Sequence, residues 1–262
     1  MLGKLLKYEI KATARTFLPL YAALIVFAAI NKLFFAINSD STFISIISGI
    51  FMAGYVLLAI GIFVITLIVI LQRFYKNLVK EEGYLMFTLP VKPWELITSK
   101  LITSVMWSFV STIAVMISVF IMAISKGMFS EFPEAIQNIN EFIVQYFGST
   151  GVFWLELFLM ILVSTIAGVL IFYGAISIGS LFKNKLLGSF VGYIILYLAT
   201  QLISTIVITI FGVSNAQYFE NMVIPDQFPQ LVFWVAIGLC ALLGAGCFVL
   251  SNYIFKKRLN LE

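Results

Sequence analysis

Six long apolar runs constrain this chain more than anything else in it: residues 17–37, 45–71, 99–125, 152–180, 188–212 and 231–255. A helix rises about 1.5 Å per residue, so about 20 apolar residues cross a hydrocarbon core of ~30 Å. Inside lipid every backbone N–H and C=O must find a partner within the protein, which leaves helices or closed barrels as spanning structures. The alternating strands of a barrel are absent. With 62% hydrophobic and 11% charged residues and a mean hydropathy of +1.08, the chain also lacks the charged surface of a soluble domain. The expected fold is therefore all-α, a single membrane domain over residues 1–262 with six transmembrane helices. The fourth run would be roughly 43 Å long as a helix, so it must tilt, break or project into water.

Charge sets the orientation. Of the 16 lysines and arginines, all except Lys32 and Lys126 fall in four segments, around Lys4–Arg15, Arg73–Lys100, Lys183–Lys185 and Lys256–Arg258. Asp40, Glu131, Glu134, Glu141, Glu220 and Asp226 favour the opposite side. By the positive-inside rule both termini and the segment 72–98 are cytoplasmic, and 126–151 is a large outer loop.

Several chemistries are excluded. The chain has no histidine, which removes HExxH zinc proteases and Ser–His intramembrane proteases. No apolar run carries an aspartate, so a paired-aspartate protease is not expected either. There is no GxxxxGK[ST] phosphate-binding loop, hence no ATP-binding cofactor site of its own. Cys240 and Cys247 lie seven apart in one apolar run and read as small buried hydrophobes. No catalytic or metal-ligating set is expected, and nothing points to a nucleic-acid partner.

The start, "MLGKLLKYEIKATART", puts Lys4, Lys7, Lys11 and Arg15 on one helical face and Leu2, Leu5, Leu6 and Ile10 on the other. Residues 1–16 thus read as a basic amphipathic helix lying in the membrane interface. Glu9 interrupts its apolar face. Either the segment is a plain anchor, or it is an elbow helix with Glu9 held for a protein contact. In the outer loop, Phe132, Ile136, Ile139, Ile143 and Tyr146 or Phe147 share a face, with Pro133 at a first helical position, which predicts a second interfacial helix. The segment around Pro225 and Pro229 is expected to be irregular.

Lys32 lies close enough to the end of its span for its ammonium to reach the headgroups. Glu156, similarly near an outer end, is expected to be hydrated there. The fifth span carries a GxxxG, Gly188 and Gly192, followed by Tyr193, Tyr197, Thr200, Gln201 and Ser204 on successive turns. Packing, a subunit seam and a substrate-facing path all fit that stripe. Ser104, Ser108, Ser111 and Ser118 in the third span, Ser164/Gly168 and Ala175/Gly179 in the fourth, and Ala236, Cys240 and Gly244 in the sixth read as close-packing positions.

The segment "RFYKNLVKEEGYLMFTLPVKPWELITSKL" is too charged and too long for a plain connector. The second helix should run past Arg73, Gly83 should break it, and Pro93 with Glu95 should restart a helix that becomes the third span. Between them a short helix ending before Pro90 would present Tyr84, Met86, Phe87 and Leu89 beside Glu81 and Glu82. An apolar knob on a charged stalk should lie on the membrane or plug into a partner.

This run resembles the first cytoplasmic loop of ABC-2-type permeases, the membrane subunits of bacterial ABC exporters, in the form common in Gram-positive bacteria. The resemblance is dense over about 30 residues and otherwise architectural. It implies a multi-pass protein of the bacterial plasma membrane in which Glu81, Glu82, Gly83, Tyr84, Phe87, Thr88, Leu89 and Pro90 form or frame a coupling helix docked on an ATPase. It also implies the elbow helix packed beside that loop and the fifth span near a dimer seam. The partners would be two copies of a separate ABC ATPase, binding ATP and magnesium, and a second permease, identical or homologous. The chain itself would not be an enzyme. The cargo would be lipophilic or amphipathic (a peptide, drug or lipid), and family habit points to an antimicrobial or toxin-like peptide. Two other readings stay open: a secondary transporter with three-plus-three inverted repeats, and a membrane protein that sequesters a peptide for immunity or sensing.

Overall fold

The structure, a computed structural model, describes residues 2–37, 42–80, 92–123, 128–217 and 228–257. Among them there are seven helices and no strands: α1 Leu2–Ala36, α2 Thr42–Leu78, α3 Pro93–Ala123, α4 Met128–Phe147, α5 Thr150–Gly179, α6 Lys185–Ser214 and α7 Phe228–Lys257. Six of these, all but α4, are long and apolar enough to cross a membrane. Each contains one of the six apolar runs for nearly its whole length. By its described residues the chain is a multi-pass, all-helical membrane protein.

The differences from expectation lie at helix ends. The basic amphipathic segment is not a separate element, because α1 continues through residue 16 and through Pro19. The reason is a stripe that ignores the polarity change. Glu9, Thr13, Phe17, Tyr21, Leu24, Ala28 and Asn31 recur every three or four residues and are all buried, so one packed face carries the helix across the boundary. Lys4, Lys7, Lys11 and Arg15 remain exposed on another face. Helix α2 does run past Arg73, to Leu78, and α3 does begin at Pro93. Helix α5 is continuous over its 30 residues. Helix α4 begins five residues before Pro133, which therefore lies inside the helix rather than at its first position. Of the predicted apolar face of α4, Ile143 is buried, whereas Ile136 and Ile139 are exposed. The proposed short helix within 81–91 and the proline-rich segment 218–227 lie outside the described residues.

Two compact units divide the chain, one formed by residues 1–73 and 95–131, the other by 74–94 and 132–262. In the first, α1, α2 and α3 share a core of Phe17, Tyr21, Leu24, Ala28, Tyr55, Ile62, Trp107 and Ala114. Phe17 stacks on Trp107 with centroids 4.6 Å apart. In the second, α5 packs against both α6 and α7. There the end of α2 contributes Phe74, fully buried and stacked on Tyr173 at 3.7 Å. Asn184 caps α6, its side chain accepting from the Leu187 N–H at 3.3 Å.

Candidate functional site

Polar groups inside a membrane helix are costly unless they meet other polar groups, so their positions show what the fold is built to hold. Glu9 is one of the few carboxylates near an apolar run, and it is buried. Its Oε2 accepts from Arg73 Nη1 at 2.7 Å, and its Oε1 accepts from Lys100 Nζ at 2.6 Å. The Lys100 side chain is only 4% exposed, whereas Arg73 retains about a third of its surface at 31%. One carboxylate on α1 therefore joins α2 and α3. Each cation sits close to the end of its helix that flanks residues 81–91 in sequence. Charge-assisted bonds of this length are the strong kind, and the low surrounding polarity strengthens them further.

From this cluster a series of polar rungs descends through the first unit. Trp107 Nε1 donates to Thr13 Oγ1 at 2.7 Å, and Thr13 in turn donates to the Glu9 carbonyl at 2.8 Å. Ser111 lies 2.7 Å from the Tyr21 hydroxyl and 2.9 Å from that of Thr66. Thr66 spends its one proton on the Ile62 carbonyl at 2.7 Å. Ser111 must then donate to Thr66, and Tyr21 to Ser111, giving a relay across three helices that ends on a backbone carbonyl. Tyr55 and Ser118 form a second relay, 2.9 Å apart, with Ser118 donating to the Val115 carbonyl at 2.7 Å. Asn31 Nδ2 donates to the Phe51 carbonyl at 3.2 Å and so ties α1 to α2 near their other ends. The serine stripe of α3 is thus a packing surface, as its spacing implied, and also the donor rail of the unit.

Glu9 was legible as an anomaly, a single carboxylate on an apolar face. Its partners were not. Arg73 and Lys100 read as ordinary juxtamembrane cations by the inside rule. The available signal was that Leu96, Ile97, Lys100, Thr103, Ser104 and Trp107 follow helical spacing, so Lys100 belongs to a buried stripe, as the structure has it.

The other sequence-predicted residues fall as follows. Glu81, Glu82, Gly83, Tyr84, Phe87, Thr88, Leu89 and Pro90 lie outside the described residues. Gly188 and Gly192 are buried against the chain's own neighbouring segments. A Cβ on Gly192 would stand 2.9 Å from the Ala175 carbonyl oxygen, and one on Gly188 would meet Phe182 at 2.8 Å. Tyr193 stacks on Phe172 of α5 at 5.1 Å. Further along α6, Tyr197 is exposed and receives Gln201 Nε2 at 3.3 Å, while Thr200 bonds back to the Tyr197 carbonyl at 2.9 Å. Ser204 is half-buried. The stripe therefore divides into a packed half at Gly188–Tyr193 and an open half beyond it.

Glu156 departs from expectation. It was expected to be hydrated, yet its side chain is completely buried, its Oε1 accepting from Gln230 Nε2 at 2.9 Å. It points into the packing of α5 against α7 rather than out of it. Cys247 is buried and Cys240 half-buried, neither in a disulfide. Among the described residues no group of three or more His, Cys, Asp or Glu could hold a metal ion. Compared with known proteins, the chain matches no family model, no curated protein and no solved structure.

Proposed function

We propose that this chain is the permease subunit of an ATP-driven exporter and forms a translocation path for an amphipathic cargo with a second permease. The coupling segment would be residues 81–90, and ATP hydrolysis would take place on a separate ATPase. The observation that carries the reading is the Glu9 cluster. It braces the two helices that flank this segment, α2 through Arg73 and α3 through Lys100, against α1. A segment that transmits a push needs stiff supports, and a plain connector does not. The loop sequence itself, an acidic pair followed by Gly-Tyr-Leu and Thr-Leu-Pro, supports docking of an apolar knob in a partner's groove. Both ends would be cytoplasmic, which puts the segment on the side where ATP is.

A secondary transporter draws support from one feature, the allocation of spans one to three and four to six to different compact units. The two readings separate in one experiment. In cells carrying the chain with the ATPase that co-purifies with it, Glu82→Lys and Phe87→Ala should abolish export and ATPase stimulation, while membrane insertion and dimerisation persist. Export at the wild-type rate in either variant, or uphill movement by the chain reconstituted alone with an ion gradient, would overturn the exporter reading.

A further inference from the structure

Glu156 lies in the second turn of α5, wholly buried, with one oxygen on Gln230 and the other, Oε2, equally buried and without a hydrogen-bond partner. Both protonation states leave something unmet. A carboxylate keeps its charge without a counter-ion, and a neutral acid keeps an O–H without an acceptor. Among the described residues, α5 and α7 supply no cation close to it in sequence. No lysine or arginine occurs between Lys126 and Lys183, nor between Lys185 and Lys256. The described cations that flank α5, α6 and α7, Lys183, Lys185, Lys256 and Lys257, sit at the far ends of these helices, about 35 Å away along α5. The unit's remaining described cations, Lys76, Lys80 and Lys92, belong to the segment 74–94, whose Phe74 stacks on Tyr173, 17 residues along α5 from Glu156.

What the chain does supply nearby is aromatic surface. Phe153 is one turn from Glu156 on α5, and Phe233 one turn from Gln230 on α7, their ring centroids 6.2 Å apart. Phe147, the last residue of α4, meets both edge-on, at 4.7 Å from Phe153 and 5.6 Å from Phe233. It is followed by Gly148, whose φ of 70° is a conformation few other residues tolerate. Phe147 is thus a half-buried ring carried at a joint, next to the two helices that hold the unsatisfied carboxyl group.

We propose that Glu156, Gln230, Phe147, Phe153 and Phe233 form a binding site for the ammonium group of an amphiphile. An ammonium N–H donates to Oε2 and neutralises the carboxylate, the ring faces attract the cation, and the apolar flanks accept the tail. A divalent metal fits poorly, because one carboxylate and one amide fall short of the six or more oxygens that calcium and magnesium take, as an order of magnitude. The site stands whether or not the chain exports anything. Only the corollary, that amine-bearing amphiphiles are the cargo, rests on the exporter reading.

The test is made without an ATPase, so its outcome is separate from that of the export experiment. The full chain in phosphatidylcholine nanodiscs is titrated with radiolabelled dodecylamine and, in parallel, with dodecanol. Saturable binding of the amine alone is expected, with a rise in the thermal unfolding midpoint that dodecanol does not produce. Glu156→Gln keeps shape and a polar contact to Gln230 but removes the charge, so affinity should fall about 10-fold or more. Phe147→Ala should weaken binding several-fold. Equal binding of amine and alcohol by the wild-type chain, or undiminished amine binding by Glu156→Gln, would overturn the proposal. The comparison within the wild-type chain decides the matter even if a variant fails to fold.

Discussion

In the first unit α1, α2 and α3 meet through side chains that donate and accept: the Glu9 cluster, the Tyr21–Ser111–Thr66 relay and the Tyr55–Ser118 pair. In the second unit α5, α6 and α7 meet largely where side chains are missing. A Cβ on Gly179 would collide with Ser189, one on Gly192 with the Ala175 carbonyl, and one on Gly244 would stand 3.2 Å from the Ala167 backbone. Lipid tails are as apolar as leucine, so helices in a membrane gain little from hydrophobic contact and need one of these two means of association. Hydrogen bonds fix register, because each donor needs its own acceptor. Close backbone approach fixes distance but tolerates sliding. The unit that holds the Glu9 cluster is built on register. The unit with the incompletely satisfied Glu156 is built on shape.

The largest effect that distinguishes the units is expected at the ion cluster. Glu9→Ala leaves the buried Lys100 without its carboxylate, and breaking a buried pair from one side costs about 3–5 kcal/mol. Unfolding measured in detergent or bicelles should show that loss. The double variant Glu9→Ala/Lys100→Met should recover part of it, since the stranded charge is then gone. A double variant as unstable as the sum of its parts would mean that the cluster is not a coupled unit and that the first unit has no special brace.

In the second unit the sensitive positions should be glycines rather than charges. Gly192→Leu forces a side chain into the α5 backbone and is expected to cost about 1–3 kcal/mol. Gly212→Leu, on the same helix with nothing within 4 Å, should be nearly neutral. If both substitutions behave alike, the close approach of α6 to α5 does not hold this unit together. A dimer seam through Gly188 and Gly192 would instead show as loss of association with unchanged monomer stability.

Much of this was legible in the sequence, for identifiable reasons. Span number follows from apolar run length, a property each segment carries by itself. Extension of α2 past Arg73 and the restart at Pro93 follow from local breakers. The continuity of α1 was not legible, because polarity changes at residue 16 while the buried face does not, and which face is buried depends on helices distant in sequence. Glu156 was misread for the same reason. Distance from a helix end suggests hydration, but Gln230, 74 residues later, covers it. The cluster on Glu9 needed partners 64 and 91 residues away, a pairing that spacing within one helix cannot reveal.

The smallest effect tests whether the relays of the first unit contribute beyond filling space. Ser111→Ala removes an acceptor for Tyr21 and a donor for Thr66 but almost no volume. Hydrogen bonds between membrane helices average only about 0.6 kcal/mol and reach about 1.7 kcal/mol, because the separated helices also find partners. In a cycle with Tyr21→Phe, the Tyr21–Ser111 coupling should fall in that range. Ile113→Ala, on the same helix, exposed and outside both relays, should show no coupling to Tyr21. Coupling of Ser111 to Tyr21 with the register of α1 unchanged would make the bond a stabiliser only. A shift of α1 along α3 in the variant, read from disulfide cross-linking efficiencies along the two helices, is the expected result if register is what these hydroxyls specify.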